Sequence, residues 1–146
     1  MEKHIMILSE LEDEAERLIT SLARLESRAT LITLSGELGA GKTAFTKAMA
    51  HVLGIEETIT SPTFVLEKIY LLGGETAKFK RLIHIDAYRL ESGKDLIPLG
   101  FHDLMQDSGN LIVLEWPERV ETALPEPTTK ITLIVHEDGS RTLKYG

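Results

Sequence analysis

Eight consecutive residues, Gly36-Glu37-Leu38-Gly39-Ala40-Gly41-Lys42-Thr43, read G-x-x-x-x-G-K-[ST] without a mismatch. Each fixed residue type has a chemical reason. Glycine permits backbone conformations closed to other residues, so several N–H groups can turn inward around phosphate oxygens. A helix starting near Lys42 would aim its unpaired N–H groups and positive dipole end at the same point. The Lys42 ammonium can then reach β- and γ-phosphates, and the Thr43 hydroxyl can ligate magnesium. The pattern predicts a site for ATP- or ADP-type phosphates with Mg2+. Its candidate contacts are Glu37, Leu38, Gly39, Ala40, Gly41, Lys42, Thr43 and Ala44.

Two acids compete for the second metal position. Asp86 ends the apolar run Leu82-Ile83-His84-Ile85, and Glu115 ends Leu111-Ile112-Val113-Leu114 in the same manner. An acid at the C-terminal end of a central strand stands where open α/β sheets bind ligands. With Lys42, these two are the candidate catalytic residues, one acid on magnesium and one positioning a water or a partner. Ser61 and Thr63, in Ser61-Pro62-Thr63, follow the loop and its helix, and either sense phosphate or open the next strand as a plain turn. Arg89 either supplies charge to a transition state or pairs with a surface acid. Trp116, the single tryptophan, directly follows Glu115 and is either a core anchor or a ring beside the nucleotide.

These residues need a frame. Thr30 to Leu34 is β-branched and apolar, which predicts a buried strand running straight into the glycine-rich turn. After it, Phe45, Ala48, Met49, Val52 and Leu53 recur at helical spacing, with Gly54 as the stop. Lys3 to Leu8 predicts a first strand. Ser9 with Glu12 makes a capping-box pattern for a helix reaching about Glu26. Phe64 to Leu72 and Phe79 to Ile85 predict an antiparallel pair joined through Gly73-Gly74. Leu111 to Glu115 predicts a further buried strand. Lys130 to His136 and Arg141 to Tyr145 flank Glu137-Asp138-Gly139-Ser140, a C-terminal hairpin signal. Between Glu91 and Gly109, Pro98 and Gly100 limit the chain to one or two short helices. Together these elements predict an α/β, P-loop NTPase-like three-layer domain with a mixed, mainly parallel central sheet.

Composition narrows the function classes. The 146 residues predict one nucleotide-binding domain, 1–146, and the apolar fraction of 42% is that of an ordinary folded chain. No cysteine is present, which excludes disulfides, thiolate metal sites and cysteine nucleophiles. The five histidines lack ligand-like spacing. A net charge of −7 argues against a direct grip on nucleic acid, which needs a basic face. Apolar runs of only a few residues build neither a membrane span nor a secretory signal, so a cytoplasmic protein without membrane contact is expected.

Four motifs in order, the phosphate loop, Ser61-Pro62-Thr63-Phe64, His84-Ile85-Asp86-Ala87-Tyr88-Arg89-Leu90 and Glu115-Trp116-Pro117-Glu118, resemble the TsaE (YjeE) family. These are bacterial P-loop ATPases needed for the threonylcarbamoyladenosine modification of tRNA. The similarity covers essentially the whole chain. It implies ATP as the nucleotide, Lys42 as the phosphate lysine, Thr43 and Glu115 as magnesium ligands, and Asp86 as an acid acting on water or through water on the metal. It implies that Ser61 and Thr63 lie in a switch-like loop and that Trp116 lies beside the nucleotide. The implied partners are the TsaD and TsaB proteins, with tRNA reached only through their complex.

Three functions are compatible with these residues. A regulatory ATPase uses water as acceptor and turns over slowly, since no residue is an obvious strong general base. A small-molecule kinase wants an arginine-rich lid, and the 16 basic residues are scattered. An adaptor would bind ATP without hydrolysing it. The ATPase ranks first.

Overall fold

The computed structural model describes residues 1–56, 66–73 and 77–146. The strand β2 (Thr30–Ser35) shows why the fold has three layers. Ile32 and Leu34 enter one apolar cluster while Leu31 enters another on the opposite face. A strand buried on both faces must lie inside a sheet covered on both sides. Helices α1 (Leu8–Ser21) and α2 (Lys42–Val52) cover one face. The short helix α3 (Phe101–Met105), with the 3-10 turns Gly93–Leu96 and Glu121–Ala123, lies over the other.

The remaining strands are β1 (Glu2–Ile5), β3 (Glu67–Leu71), β4 (Arg81–Asp86), β5 (Asn110–Glu115), β6 (Thr129–Val135) and β7 (Arg141–Tyr145). They form one sheet in the order β1-β7-β6-β2-β5-β4-β3. The central β6, β2, β5 and β4 run parallel, and the three outer pairings are antiparallel. This is the mixed sheet expected of the chain, with the expected β6–β7 hairpin set between β2 and the edge strand β1. At its turn, Asp138 Oδ1 accepts the Ser140 N–H at 2.9 Å, and Gly139 takes φ +85°. The antiparallel β3–β4 pair is also present. Phe64 and Gly74 of that expected pair lie outside the described residues.

Two boundaries of α1 depart from the sequence reading. The cap is Ile7, and Glu10 rather than Glu12 closes the first turn by accepting the N–H groups of Met6 and Ile7, each at 3.2 Å. A capping acid must stand three residues beyond the cap, and β1 ends early enough at Ile5 to place that cap before Ser9. The helix stops at Ser21, short of Glu26. There the Lys78 ammonium donates to the carbonyls of Ile19, Thr20 and Leu22, a cation at the negative end of the helix dipole. That lysine comes from a distant loop, so local periodicity has no access to it. The far end of α2 follows its local signal. Gly54 takes φ +87°, its N–H donates to His51 at 3.0 Å, and the Ile55 N–H donates to Ala50 at 3.0 Å, a Schellman closure.

Candidate functional site

β2 delivers the chain to the glycine-rich turn, and α2 starts within it at Lys42. Three turn residues need a left-handed backbone: Gly36 at φ +147°, Gly39 at +82° and Gly41 at +105°. At Gly36 the space is also closed, because a Cβ would stand 2.5 Å from the Leu133 carbonyl oxygen and 3.3 Å from Ala40 Cβ. Gly36→Ala is therefore expected to destabilise the protein by about 2–3 kcal/mol, from strain plus displaced β6 backbone. A thermal melt within about 2 °C of the unsubstituted protein would refute this.

Lys42 is buried, and its Nζ donates to the carbonyls of Gly36 and, at 3.0 Å, Glu37. It also stands 4.2 Å from the centre of the Trp116 ring, in cation–π range. Burial pulls the Lys42 pKa below the ordinary lysine value, while the carboxylates of Glu115, Glu118 and Asp86 oppose that shift and favour the ammonium.

Strand alternation puts His84, Asp86 and Glu115 on the same face as Leu34, Leu82 and Val113, the face that α2 covers. The parallel register sets Asp86 directly beside Glu115. Their settings differ. Glu115 is buried, with Oε1 accepting the Thr43 hydroxyl at 3.4 Å and Oε2 bonded to His84 Nε2. Asp86 is half-buried, and its Oδ1 accepts the Tyr88 N–H at 3.0 Å. Immediately after Glu115 the chain reverses. Trp116 takes φ +61°, the one non-glycine residue in that region among the described residues, and its N–H donates to Leu34 at 3.1 Å. A bulky residue there costs on the order of 1–3 kcal/mol. The turn brings the indole back over Lys42 and against the Tyr88 ring, with ring centres 5.0 Å apart.

Lys42, Thr43, Asp86, Glu115, Tyr88 and Trp116 border one cavity of about 340 Å³. Leu38, Gly39, Gly41, Lys42, Thr43 and Ala44 enter from the loop and helix start, with Asp86 and Glu115 from the strand ends. Trp116, Tyr88, Arg89 and Leu66 complete the wall. Glu37 and Ala40 stay out of the lining: the Glu37 carbonyl holds Lys42, and Ala40 is buried beneath the loop. Ser61 and Thr63 lie outside the described residues. Among the described residues no cluster of three His, Asp or Glu side chains could hold a metal by itself. The adjacent oxygens of Thr43 and Glu115 are instead the sparse, hard-oxygen donor set that suits magnesium shared with phosphates.

Two supports escaped the sequence reading. Arg141, at the start of β7, donates from Nε to the Ala40 carbonyl at 2.8 Å and from Nη2 to that of Gly39 at 3.4 Å. It thereby ties the C-terminal hairpin to the loop. Nothing local in the chain announces this contact, which exists because β6 pairs with β2. His84 had a signal: it precedes Asp86 by two residues on a strand and so shares its face.

The family model for threonylcarbamoyl adenosine biosynthesis protein TsaE matches residues 9–143. A Treponema pallidum protein described as tRNA threonylcarbamoyladenosine biosynthesis protein TsaE is 43% identical over 122 residues, covering 84% of this chain and 85% of its own. Proteins of the same description from Rickettsia felis and Bacillus subtilis are 34% and 32% identical, covering 93% and 91% of this chain and 76% and 79% of their own. The crystal structure of Bacillus subtilis YdiB superposes with a TM-score of 0.74 at 26% identity, over 99% of this chain and 83% of that one.

Proposed function

The chain belongs to the TsaE family, and from that premise we propose that its cavity binds Mg-ATP and hydrolyses it slowly, with water as the acceptor. It is a P-loop ATPase of tRNA threonylcarbamoyladenosine biosynthesis. The observation that carries the mechanistic reading is a juxtaposition. The Lys42 ammonium and the Thr43–Glu115 oxygen pair open into one cavity at the end of β2.

The loop N–H groups and Lys42 grip the β- and γ-phosphates. Thr43 and Glu115 would hold magnesium, which when bound neutralises charge on the phosphate oxygens. Asp86, beside Glu115 in register, would orient the attacking water or act through water on the metal. Trp116 and Tyr88 form an aromatic wall of the site beside Lys42. We read residues 1–146 as a single nucleotide-binding domain, since one sheet carries both apolar clusters.

The partners we propose are the TsaD and TsaB proteins, with tRNA reached only through their complex, in the cytoplasm. The acidic balance of −7 supports an indirect route to tRNA. No helix among the described residues is long and apolar enough to cross a membrane.

Phosphate release from Mg-ATP, measured for the chain alone and with TsaD and TsaB, tests this reading. Slow release that changes when the partners are added is the expected result. ATP binding without release in any mixture would replace hydrolysis with an adaptor role.

A further inference from the structure

We propose that His84 is a positioning residue for magnesium-coupled nucleotide binding: its imidazole holds the Glu115 carboxylate so that Oε1 faces Thr43. The inference rests on the Mg-nucleotide reading above. It concerns a side chain that does not border the cavity.

The two oxygens of Glu115 are divided between partners. Oε1 accepts from the Thr43 hydroxyl at 3.4 Å, and Oε2 is bonded to His84 Nε2. In a bond of this kind the ring N–H donates and the carboxylate oxygen accepts. His84 has no exposed surface and Glu115 is 2% exposed, which leaves little water to replace either contact. His84 Nδ1 is buried without a hydrogen-bond partner among the described residues. Among the described residues the imidazole thus has a single polar engagement, and that engagement is Glu115.

The sheet makes the geometry specific. His84 pairs with Val113 and Asp86 with Glu115, so His84 stands diagonally from Glu115 on one face. Diagonal neighbours lie about 7–8 Å apart at the backbone, a span a long side chain can bridge. Around them that floor carries apolar side chains, Leu34, Leu82 and Val113 among them, none of which can donate. A carboxylate buried this far needs its partners, because an unmet charge there is expensive. Without the imidazole, Glu115 would keep only the Thr43 hydrogen bond and the charge of Lys42, and could turn away from the position that suits a metal. Groups that orient a metal ligand from behind in this manner are typically worth 10–100-fold in metal affinity or activity.

The alternative is an imidazole that merely fills the core, and amide substitutions of different reach separate the two. His84→Gln can place an N–H near the position of Nε2, while the shorter His84→Asn cannot. ADP binding would be measured by calorimetry with magnesium and with EDTA, beside thermal melts, for the unsubstituted protein, both amides and His84→Leu. The expected result is that Asn and Leu reduce the magnesium-dependent gain in ADP affinity about 10–100-fold, leave affinity in EDTA unchanged, and that Gln keeps most of the gain. Equal gain in Gln and Asn overturns the positioning role, and this comparison stands even if the leucine variant fails to melt cooperatively. If the unsubstituted protein gains nothing from magnesium, the Mg-nucleotide reading fails first and the positioning role falls with it. A normal gain that His84→Asn leaves intact removes the positioning role alone.

Discussion

Lys42→Ala is expected to lower phosphate release from Mg-ATP by about 10²–10³-fold, the usual consequence of removing one preorganised donor from developing charge. Two features of the site raise the effect to the upper part of that range. Lys42 is buried, so its charge acts through little solvent, and it donates to the Gly36 and Glu37 carbonyls, which fixes it inside the loop. Arginine should not rescue the activity. The lysine is confined between those two carbonyls and the Trp116 ring 4.2 Å away, and a planar fork cannot occupy the place of a compact ammonium. The substitution also leaves Glu115, Glu118 and Asp86 without a cation they share. Thermal melts must therefore accompany the kinetics. A folded Lys42→Ala protein with near-normal release would remove Lys42 from the chemistry.

Glu115→Ala should separate metal from nucleotide. With magnesium, ADP affinity is expected to fall to roughly its metal-free value, a loss on the order of 10–100-fold or more. In EDTA, affinity should hold or rise, because the change removes a negative charge close to where phosphate oxygens bind. Equal losses in both conditions would argue against metal ligation. The variant also leaves the His84 donor buried without its acceptor, at a cost of about 1–3 kcal/mol. Glu115→Gln controls for this, since its amide oxygen can still accept from one neighbour while the charge is gone.

The two acids differ in their surroundings. In the chain, Asp86 and Glu115 look alike, each closing a mainly apolar run of four, with His84 the one polar member of the first. In the fold, Glu115 is buried between Thr43 and His84, while Asp86 is half-buried and engages the Tyr88 N–H. Neighbours contributed by other strands make the difference, and apolar patterning does not encode which strands those are.

Local chemistry, by contrast, made much of the molecule readable from the chain. The phosphate loop is contiguous, and its grip comes from its own N–H groups and the two residues after them, so spacing suffices to recognise it. β2, α2 and the Gly54 stop follow from β-branching, helical periodicity and a positive φ. The β6–β7 hairpin follows from its turn residues, Asp138 and Gly139. Only the tertiary structure decided the rest. It ended α1 with Lys78, paired β6 with β2 so that Arg141 reaches the loop, and set His84 diagonally behind Glu115. The physical reason is shared: each of these contacts depends on strand order and register. Burial across the whole sheet selects that order, and no short stretch of sequence carries it.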